Sequence, residues 1–155
     1  MENIITEFQN HELKIRALRL DDMQQIVELL QSVSSFMPTP SSLNALAEKF
    51  LKSENSHACI VEYEQSVIAF GSIFLLGRIR GGYSAVIEDV VVRGDARRKG
   101  VGRLLIASLL EHAVARKCFK VSLVTKEENI LFYESLGFQK DLQGMRIHLW
   151  AESQS

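Results

Sequence analysis

The chain has 155 residues, of which 46% are hydrophobic and 24% are charged, and its formal net charge at pH 7 is −1. This composition is typical of one globular domain and excludes a disordered chain, and a nearly neutral charge gives no general attraction to nucleic acid or to a membrane. Neither a membrane-spanning apolar run nor an N-terminal signal peptide is recognisable, so residues 1–155 are predicted to form a single cytoplasmic domain.

Cysteine is rare, and the two that occur, Cys59 and Cys118, are far apart in the chain. Neither belongs to a CxxC pair or to a cysteine and histidine spacing that would hold zinc. We therefore expect two reduced thiols, no disulfide and no bound metal.

The first third of the chain predicts one strand followed by two helices. A strand is expected over residues 13–20 and a helix over residues 23–34, with Asp21-Asp22 as its N-cap and Gln24 and Gln25 as capping-box partners. After a loop marked by Pro38 and Pro40, a second helix begins at Ser41 or Ser42 and includes residues 43–51.

The middle of the chain is rich in strand-forming residues. Residues 58–61 and 67–74 predict an antiparallel hairpin, and residues 83–92 predict another strand. Because that strand ends in three consecutive apolar residues, Val90 to Val92, both of its faces are expected to be covered, as in a central strand.

The last third alternates helices and strands. We expect a long amphipathic helix from Gly100 to about Lys117, a strand over residues 120–125, and a helix over residues 127–136 that ends at Gly137. Residues 138–150 predict a final hairpin or long strand. The whole order indicates an α/β fold with a mixed sheet covered by helices.

A basic, glycine-containing loop joins the strand at residues 83–92 to the long helix. Residues 93–103 carry five basic residues and one acidic residue, and Gly100 and Gly102 stand where the helix begins. Glycine lets the backbone approach a ligand closely, and the first turn of a helix presents unpaired N–H groups and a positive dipole end. This combination predicts a site for a pyrophosphate.

Other phosphate loops do not fit these residues. A Walker loop needs Gly-Lys followed by Ser or Thr, whereas Lys99 precedes Gly100, and a dinucleotide-binding fingerprint needs a third small residue where Leu105 stands. The remaining alternative is a solvated basic turn whose glycines serve only a tight connection.

Two sequence blocks resemble the GNAT superfamily of acyltransferases. The first, residues 97–102 (Arg-Arg-Lys-Gly-Val-Gly), resembles the Arg/Gln-x-x-Gly-x-Gly/Ala loop of that family, and it follows the strand block at residues 87–92. The second, residues 129–138, is similar to the family's Asn and Phe-Tyr-x-x-x-Gly-Phe block. The fold this implies is a mixed, mainly antiparallel sheet flanked by helices, with a splayed strand pair that holds acyl-CoA.

The resemblance implies transfer of an acetyl group from acetyl-CoA to an amine, with no metal. Backbone amides at residues 98–103 would hold the pyrophosphate, and the pantetheine arm would lie along the end of the strand, as an added peptide strand would. The residues so implied in binding acetyl-CoA are Val90, Val91, Val92, Arg97, Arg98, Lys99, Gly100, Val101, Gly102, Arg103, Asn129 and Phe132.

Amine acetylation needs a proton acceptor for the amine and a proton donor for the thiolate that leaves. By resemblance Tyr133 is the candidate acid, and Glu88 or Asp89 accepts the amine proton directly or through water; packing is the alternative role for Tyr133. Adjacent strand residues point to opposite faces, so only one carboxylate lines the site unless the strand bulges. Asn129 either binds pantetheine or caps the following helix.

The acceptor amine belongs to a small molecule or a peptide. Within the superfamily the blocks look most like those of glucosamine 6-phosphate N-acetyltransferases, but Val124 replaces an acid and His148 replaces an arginine, for which Arg146 could substitute on the same strand face. A non-catalytic acyl-CoA binding module is the competing class. Nucleic acid is not expected as a partner, because the short basic loop lacks the interleaved aromatic residues of a nucleic-acid site. The apolar segment 145–150 could pair two copies as a homodimer.

Overall fold

The structure, a computed structural model, describes residues 13–35 and 37–149. Five strands and four helices form the domain in this part of the chain. The strands are β1 (Lys14–Ala17), β2 (Ser56–Tyr63), β3 (Ser66–Gly77), β4 (Tyr83–Val92) and β5 (Cys118–Leu123). The helices are α1 (Met23–Leu30), α2 (Pro40–Leu51), α3 (Val101–Ala115) and α4 (Ile130–Glu134), and short 3-10 turns lie at Leu20–Asp22, Gly94–Ala96 and Glu127–Asn129.

The strands form one sheet in the order β1-β2-β3-β4-β5. The first three pairings are antiparallel, and β4 pairs with β5 in parallel because α3 connects them. This arrangement confirms the predicted α/β fold with a mixed, mainly antiparallel sheet flanked by helices.

The central strand is β3, and the prediction of a central β4 is wrong. Residues 67–73 of β3 are all buried, whereas β4 alternates and exposes Glu88 and Asp89. The prediction that both faces of the run Val90 to Val92 are covered is confirmed. Val91 packs into the core on the side of α1 and α2, while Val90 and Val92 pack on the side of α3.

The turn before α1 is built differently from the predicted capping box. The Asp22 carboxylate does not cap α1; it accepts a bond from the backbone N–H of Arg19 and two from the guanidinium of Arg16 on β1. The same guanidinium donates to Glu62 on β2. Instead of capping α1, Gln25 accepts a bond from the backbone N–H of Val67. The side chains of Asp22 and Gln25 therefore bind distant parts of the chain instead of forming the predicted local capping box.

The predicted final hairpin is wrong within the described residues, and Trp150 lies outside them. Residues 139–149 contain no strand, and they are exposed throughout. Alternating apolar residues form a strand only where a neighbouring strand accepts their backbone hydrogen bonds, and none in the described ranges does so. Consequently Arg146 and His148 do not share a strand face.

Helices within residues 13–35 and 37–149 are all too short or too polar to cross a bilayer.

Candidate active site

Strands β4 and β5 separate halfway along β4. Their parallel pairing runs from Tyr83 opposite Cys118 to Ile87 opposite Leu123, where β5 ends. The remainder of β4, residues 88–92, has no pairing on this side in the described part of the chain. Its backbone N–H and C=O groups on that edge face a gap that an extended, amide-containing ligand could fill.

A β-bulge lies where the gap opens. Phe70 of β3 pairs with Val91, but Ser72 pairs with Glu88, so Asp89 and Val90 stand opposite the single residue Gly71. Asp89 has a φ of 53°, a left-handed conformation, and the Ser72 hydroxyl donates to the Glu88 carbonyl at 3.1 Å. The extra residue shifts the alternation of β4, so that Ile87 and Val90 both pack on the α3 side.

The basic loop forms a turn at the amino end of α3. Arg98 and Gly100 have φ values of 60° and 81°, and Gly100 is the N-cap. Leu104 donates the first N–H bond of the helix, to the carbonyl of Gly100. The N–H groups of Val101, Gly102 and Arg103 therefore lack an acceptor within α3 and point out of its first turn, where an anion can bind them.

The basic side chains of the loop differ in what they contact. Arg97 donates to the carbonyl of Val92, the last residue of β4, and Arg93 makes a two-point ion pair with Asp95. Arg103 donates to the Ser135 hydroxyl just after α4. Arg98 is exposed in solvent. Arg97 thus holds the loop against β4, and Arg98 is better placed to meet a ligand.

Two of the predicted binding residues are buried and can offer only their backbone. Val91 is 3% exposed and Val101 is 1% exposed, and the side chains of both belong to the core. Lys99 and Gly100, which lie between these two valines in the sequence, are half-buried. A ligand along this path would meet main-chain groups of the two valines.

The two sequence blocks meet at Gly102. A Cβ atom built on Gly102 would lie 3.2 Å from Cζ of Phe132 on α4 and 3.7 Å from Cγ2 of Val92 on β4. Any side chain at position 102 would require the Phe132 ring to shift, so glycine favours the close approach of α3, α4 and β4. The Phe132 ring thereby closes one side of the gap.

Tyr133 is half-buried next to Phe132. Its ring packs edge-on against the rings of Phe132 at 5.0 Å and Phe138 at 5.7 Å between centroids. Desolvation by these neighbours raises the pKa of the Tyr133 hydroxyl, so it keeps its proton at neutral pH. Among the described residues the hydroxyl has no hydrogen-bond partner, and it is available to a ligand.

The acidic pair lies at the rim of the gap. Both residues are exposed by surface area, but the carboxyl group of Asp89 is partly desolvated, and this partial burial raises its pKa. The bulge removes the strict alternation that would place Glu88 and Asp89 on opposite faces. Asn129 occupies the N-cap position of α4, but its side chain makes no capping bond in the described part of the chain.

Sequence reasoning missed three features that position this site. They are the bulge at Asp89, the bond from Arg97 to Val92, and a cavity of about 370 Å³ between α1 and the loop. The cavity is lined by α1 (Gln25, Glu28, Leu29 and Ser32), the start of β3 (Ser66 and Val67), and the end of β4 with the following loop (Val92, Arg93, Gly94 and Arg97). Only the chance of a bulge could be foreseen, from the adjacent acids; the cavity joins three segments that are distant in the chain.

Comparison with known proteins agrees with this geometry. Residues 23–138 match the model of the acetyltransferase (GNAT) family. The chain is 30% identical to glucosamine 6-phosphate N-acetyltransferase of Trypanosoma brucei brucei over 89% of its own length and 97% of that protein. It is 31% identical to the Arabidopsis thaliana enzyme of that name over 80% of this chain and 88% of that protein. A crystal structure of glucosamine-6-phosphate N-acetyltransferase from Arabidopsis thaliana superposes with a TM-score of 0.84 at 27% identity, covering 89% of this chain and 99% of that one. The chain belongs to the GNAT acetyltransferase family.

Proposed function

We propose that residues 1–155 form one domain that binds acetyl-CoA in the gap between β4 and β5 and transfers its acetyl group directly to a primary amine. The observation that carries this proposal is the place of the gap. It opens at Ile87 and Leu123 and leads along residues 88–92 to the amino end of α3. An extended arm and a diphosphate on the same molecule fit these two adjoining features.

Backbone groups would do most of the binding. The amide groups of the pantetheine arm would pair with the free edge of residues 90–92, and the N–H groups of residues 101–103 would hold the diphosphate. The positive charges of Arg98 and Lys99 would attract the diphosphate. Arg97 would hold the loop against β4, and Arg103 would hold it against the end of α4. Asn129 and Phe132 would line the other side.

An acceptor that enters as an ammonium ion gives up two protons, and the sulfur gains one. The first proton leaves before the nitrogen attacks; the second leaves as the nitrogen bonds to the acetyl carbon and the C–S bond breaks, so that one proton in total is released to solvent. Tyr133 is the proposed donor to the sulfur, because its hydroxyl is protonated at neutral pH and unpaired in the described structure. Packing against two aromatic rings holds the Tyr133 ring, and with it the hydroxyl oxygen, in place.

One of the two acidic residues would receive the amine proton, directly or through water. Asp89 is the stronger candidate, because its raised pKa makes it a better proton acceptor than an ordinary carboxylate. Glu88, anchored through its carbonyl by Ser72, would hold the ammonium form of the substrate. The two roles are separable by mutation.

An amino sugar phosphate is the acceptor we propose to test first, because the relatives at 30–31% identity are glucosamine 6-phosphate N-acetyltransferases. The described structure supports this acceptor less directly than it supports acetyl-CoA. Val124, which replaces an acid, is 78% exposed just beyond β5, and Arg146 lies in an exposed segment without a strand. Polyamines, amino acids and peptide N-termini therefore belong in the same panel.

The test follows free thiol while the protein is incubated with acetyl-CoA and each amine. Thiol release that depends on one acceptor, together with a product heavier by one acetyl group, is the expected result. Thermal stabilisation by acetyl-CoA without transfer to any amine would instead indicate a binding module. If acetyl-CoA neither stabilised the protein nor reacted, the proposed site would be wrong.

We further propose a homodimer in the cytoplasm. Support for the dimer comes from the exposed apolar side chains of Met145, Ile147 and Leu149, which a second copy could cover. Support for the location comes from Cys59 and Cys118, both free thiols. The acetyl transfer itself needs no nucleic acid and no membrane. Light scattering on the purified chain gives its mass, and a monomer at micromolar concentration would contradict the dimer.

A further inference from the structure

A second surface lies at the opposite end of the sheet from the acetyl-CoA loop. There the turn between β3 and β4 meets the start of β5, around a shallow depression of about 420 Å³. We call it the hairpin-end surface; its lining residues are Arg78, Arg80, Gly81, Phe119 and Lys120. A Cβ atom on Gly82 would be 3.8 Å from the Phe119 ring, so the turn and β5 are in direct contact.

This surface is strongly basic. The sequence has no acidic residue from position 65 to 87 or from 112 to 126. Arg78, Arg80 and Lys120 line the depression, and two further basic residues, Arg116 and Lys117, immediately precede β5. Within the described ranges none of these five side chains forms an ion pair. The guanidinium of Arg78 donates a hydrogen bond to the hydroxyl of Ser84. A local charge of +5 is thus unneutralised in a chain whose net charge is −1.

Apolar side chains project from the middle of this charge. Ile79, at the tip of the turn, is fully exposed at 105%, and Phe119 is 63% exposed. Leu76 and Tyr83 beside them are 43% and 38% exposed. The tip is held in shape by backbone bonds from Arg78 to Gly82 and from Gly81 to Arg78. The exposed apolar side chains are surrounded by basic residues on a well-defined turn. This arrangement suits a partner surface whose outer layer is negatively charged and whose interior is apolar.

We propose that the hairpin-end surface docks the protein on a membrane surface that contains anionic phospholipid. The cations would meet the lipid phosphates and carboxylates, and Ile79 and Phe119 would enter the boundary between headgroups and acyl chains. Lipid is favoured over nucleic acid because the most exposed side chain, Ile79, is aliphatic and offers no ring on which a base can stack.

Docking in this way leaves the catalytic site in water. Glu88, at the mouth of the gap, lies five positions after Tyr83, at the hairpin end, which is a distance of about 17 Å along a strand. The basic loop begins five positions further on, at Arg93. The inference therefore does not depend on the proposed function, and acetyl transfer and membrane binding can be measured separately.

The experiment is cosedimentation of the whole chain with vesicles. One set contains phosphatidylcholine alone, and in the other about a third of the lipid is phosphatidylserine. We expect binding only to the anionic vesicles, weakened by salt. Neutralising two charges in R80Q/K120Q is expected to weaken binding about 30-fold, and Ile79→Ser is expected to weaken it several-fold.

Matched controls lie elsewhere on the chain. Lys14→Gln removes an exposed cation on β1, and Val33→Ser removes an exposed apolar side chain after α1; both should bind vesicles like the unmodified chain. Circular dichroism and thermal unfolding without ligand show that every variant is folded. Equal binding to both vesicle types, or unchanged binding by R80Q/K120Q and Ile79→Ser, would overturn the proposal. Loss of a dimer in those variants, or binding of single-stranded RNA that Phe119→Ala abolishes and Ile79→Ser spares, would assign the surface to another partner.

Discussion

Gly102 at the start of α3 lies directly against the ring of Phe132 on α4. The space between them is so small that a Cβ atom on Gly102 would come within 3.2 Å of Cζ of that ring. This contact joins the glycine turn before α3 to the helix that carries Tyr133. The spacing between the loop and the proposed acid therefore depends on the small size of residue 102.

Enlarging Gly102 should separate these elements. We expect Gly102→Val to destabilise the fold by about 1–3 kcal/mol through overpacking and to raise KM for acetyl-CoA, with a smaller effect for Gly102→Ala. Gly94 in the same loop is the control, because a Cβ there meets nothing within 4 Å. Thermal unfolding and initial rates measure both effects. Equal tolerance at positions 94 and 102 would show that the Phe132 contact does not constrain the loop.

Tyr133→Phe should reduce turnover more than binding. The change removes the hydroxyl and leaves the ring contacts with Phe132 and Phe138, so we expect kcat to fall by about 10²-fold while KM for acetyl-CoA changes little. Steady-state kinetics and a thermal shift with acetyl-CoA separate the two quantities. A parallel loss of affinity and rate would mean that Tyr133 only supports the packing.

The acidic pair should differ in pH dependence. If Asp89 is the base, activity rises with pH through its raised pKa, and Asp89→Asn removes that rise while Glu88→Gln keeps it. The chemical step must be isolated by saturating both substrates. If Glu88→Gln abolished the rise and Asp89→Asn preserved it, the roles would be exchanged.

Asp89 also provides a test without substrate. Burial raises its pKa in the folded state, so the folded protein holds this proton more tightly than the unfolded chain does. Stability from this group is complete below the unfolded pKa of about 3.9 and is lost as the pH rises through the folded value. Asp89→Asn should therefore raise Tm more at neutral pH than at pH values below about 4. A gain that is the same at both pH values would come from the left-handed backbone alone.

A stacked histidine pair predicts acid sensitivity of the fold. The rings of His57 on β2 and His112 on α3 are parallel within 6° and 4.0 Å apart, and His57 also contacts the thiol of Cys59 at 3.3 Å. Desolvation lowers the pKa of both imidazoles; the charge of His112 lowers the pKa of His57 further, and the charge of Arg116 lowers the pKa of His112 further. The pair thus favours the neutral forms in the folded state.

Because the unfolded chain binds these protons more readily, stability is complete above about pH 6.5 and falls as the pH drops through the lowered values. We expect Tm to fall between about pH 7 and about pH 5, and His112→Phe, which keeps a stacked ring without a charge, to reduce that fall. The control is His148→Gln in the exposed segment. An unchanged pH dependence in His112→Phe would exclude the pair as the cause.

Local sequence patterns predicted most helices and strands of this protein. The bounds of β4 were predicted to the residue, and α3, β5 and the turn at Gly137 lie within a few residues of their predicted places. The predicted turn at the start of α3 is also present, because Gly100 adopts the left-handed backbone conformation that glycine favours. The roles given to Tyr133, Glu88 and Asp89 remain predictions.

Contacts between distant segments decided the rest. The neutral average charge of the sequence hid the basic hairpin-end surface, which exists only because β3, β4 and β5 bring Arg78, Arg80 and Lys120 together. The bulge at Asp89 and the centrality of β3 depend on which strands pair, and residues 139–149 lack a strand because no neighbour accepts their hydrogen bonds. Turns and helices are specified by residues near one another in the chain, whereas register, gaps and surface charge are set by pairings that a linear pattern does not contain.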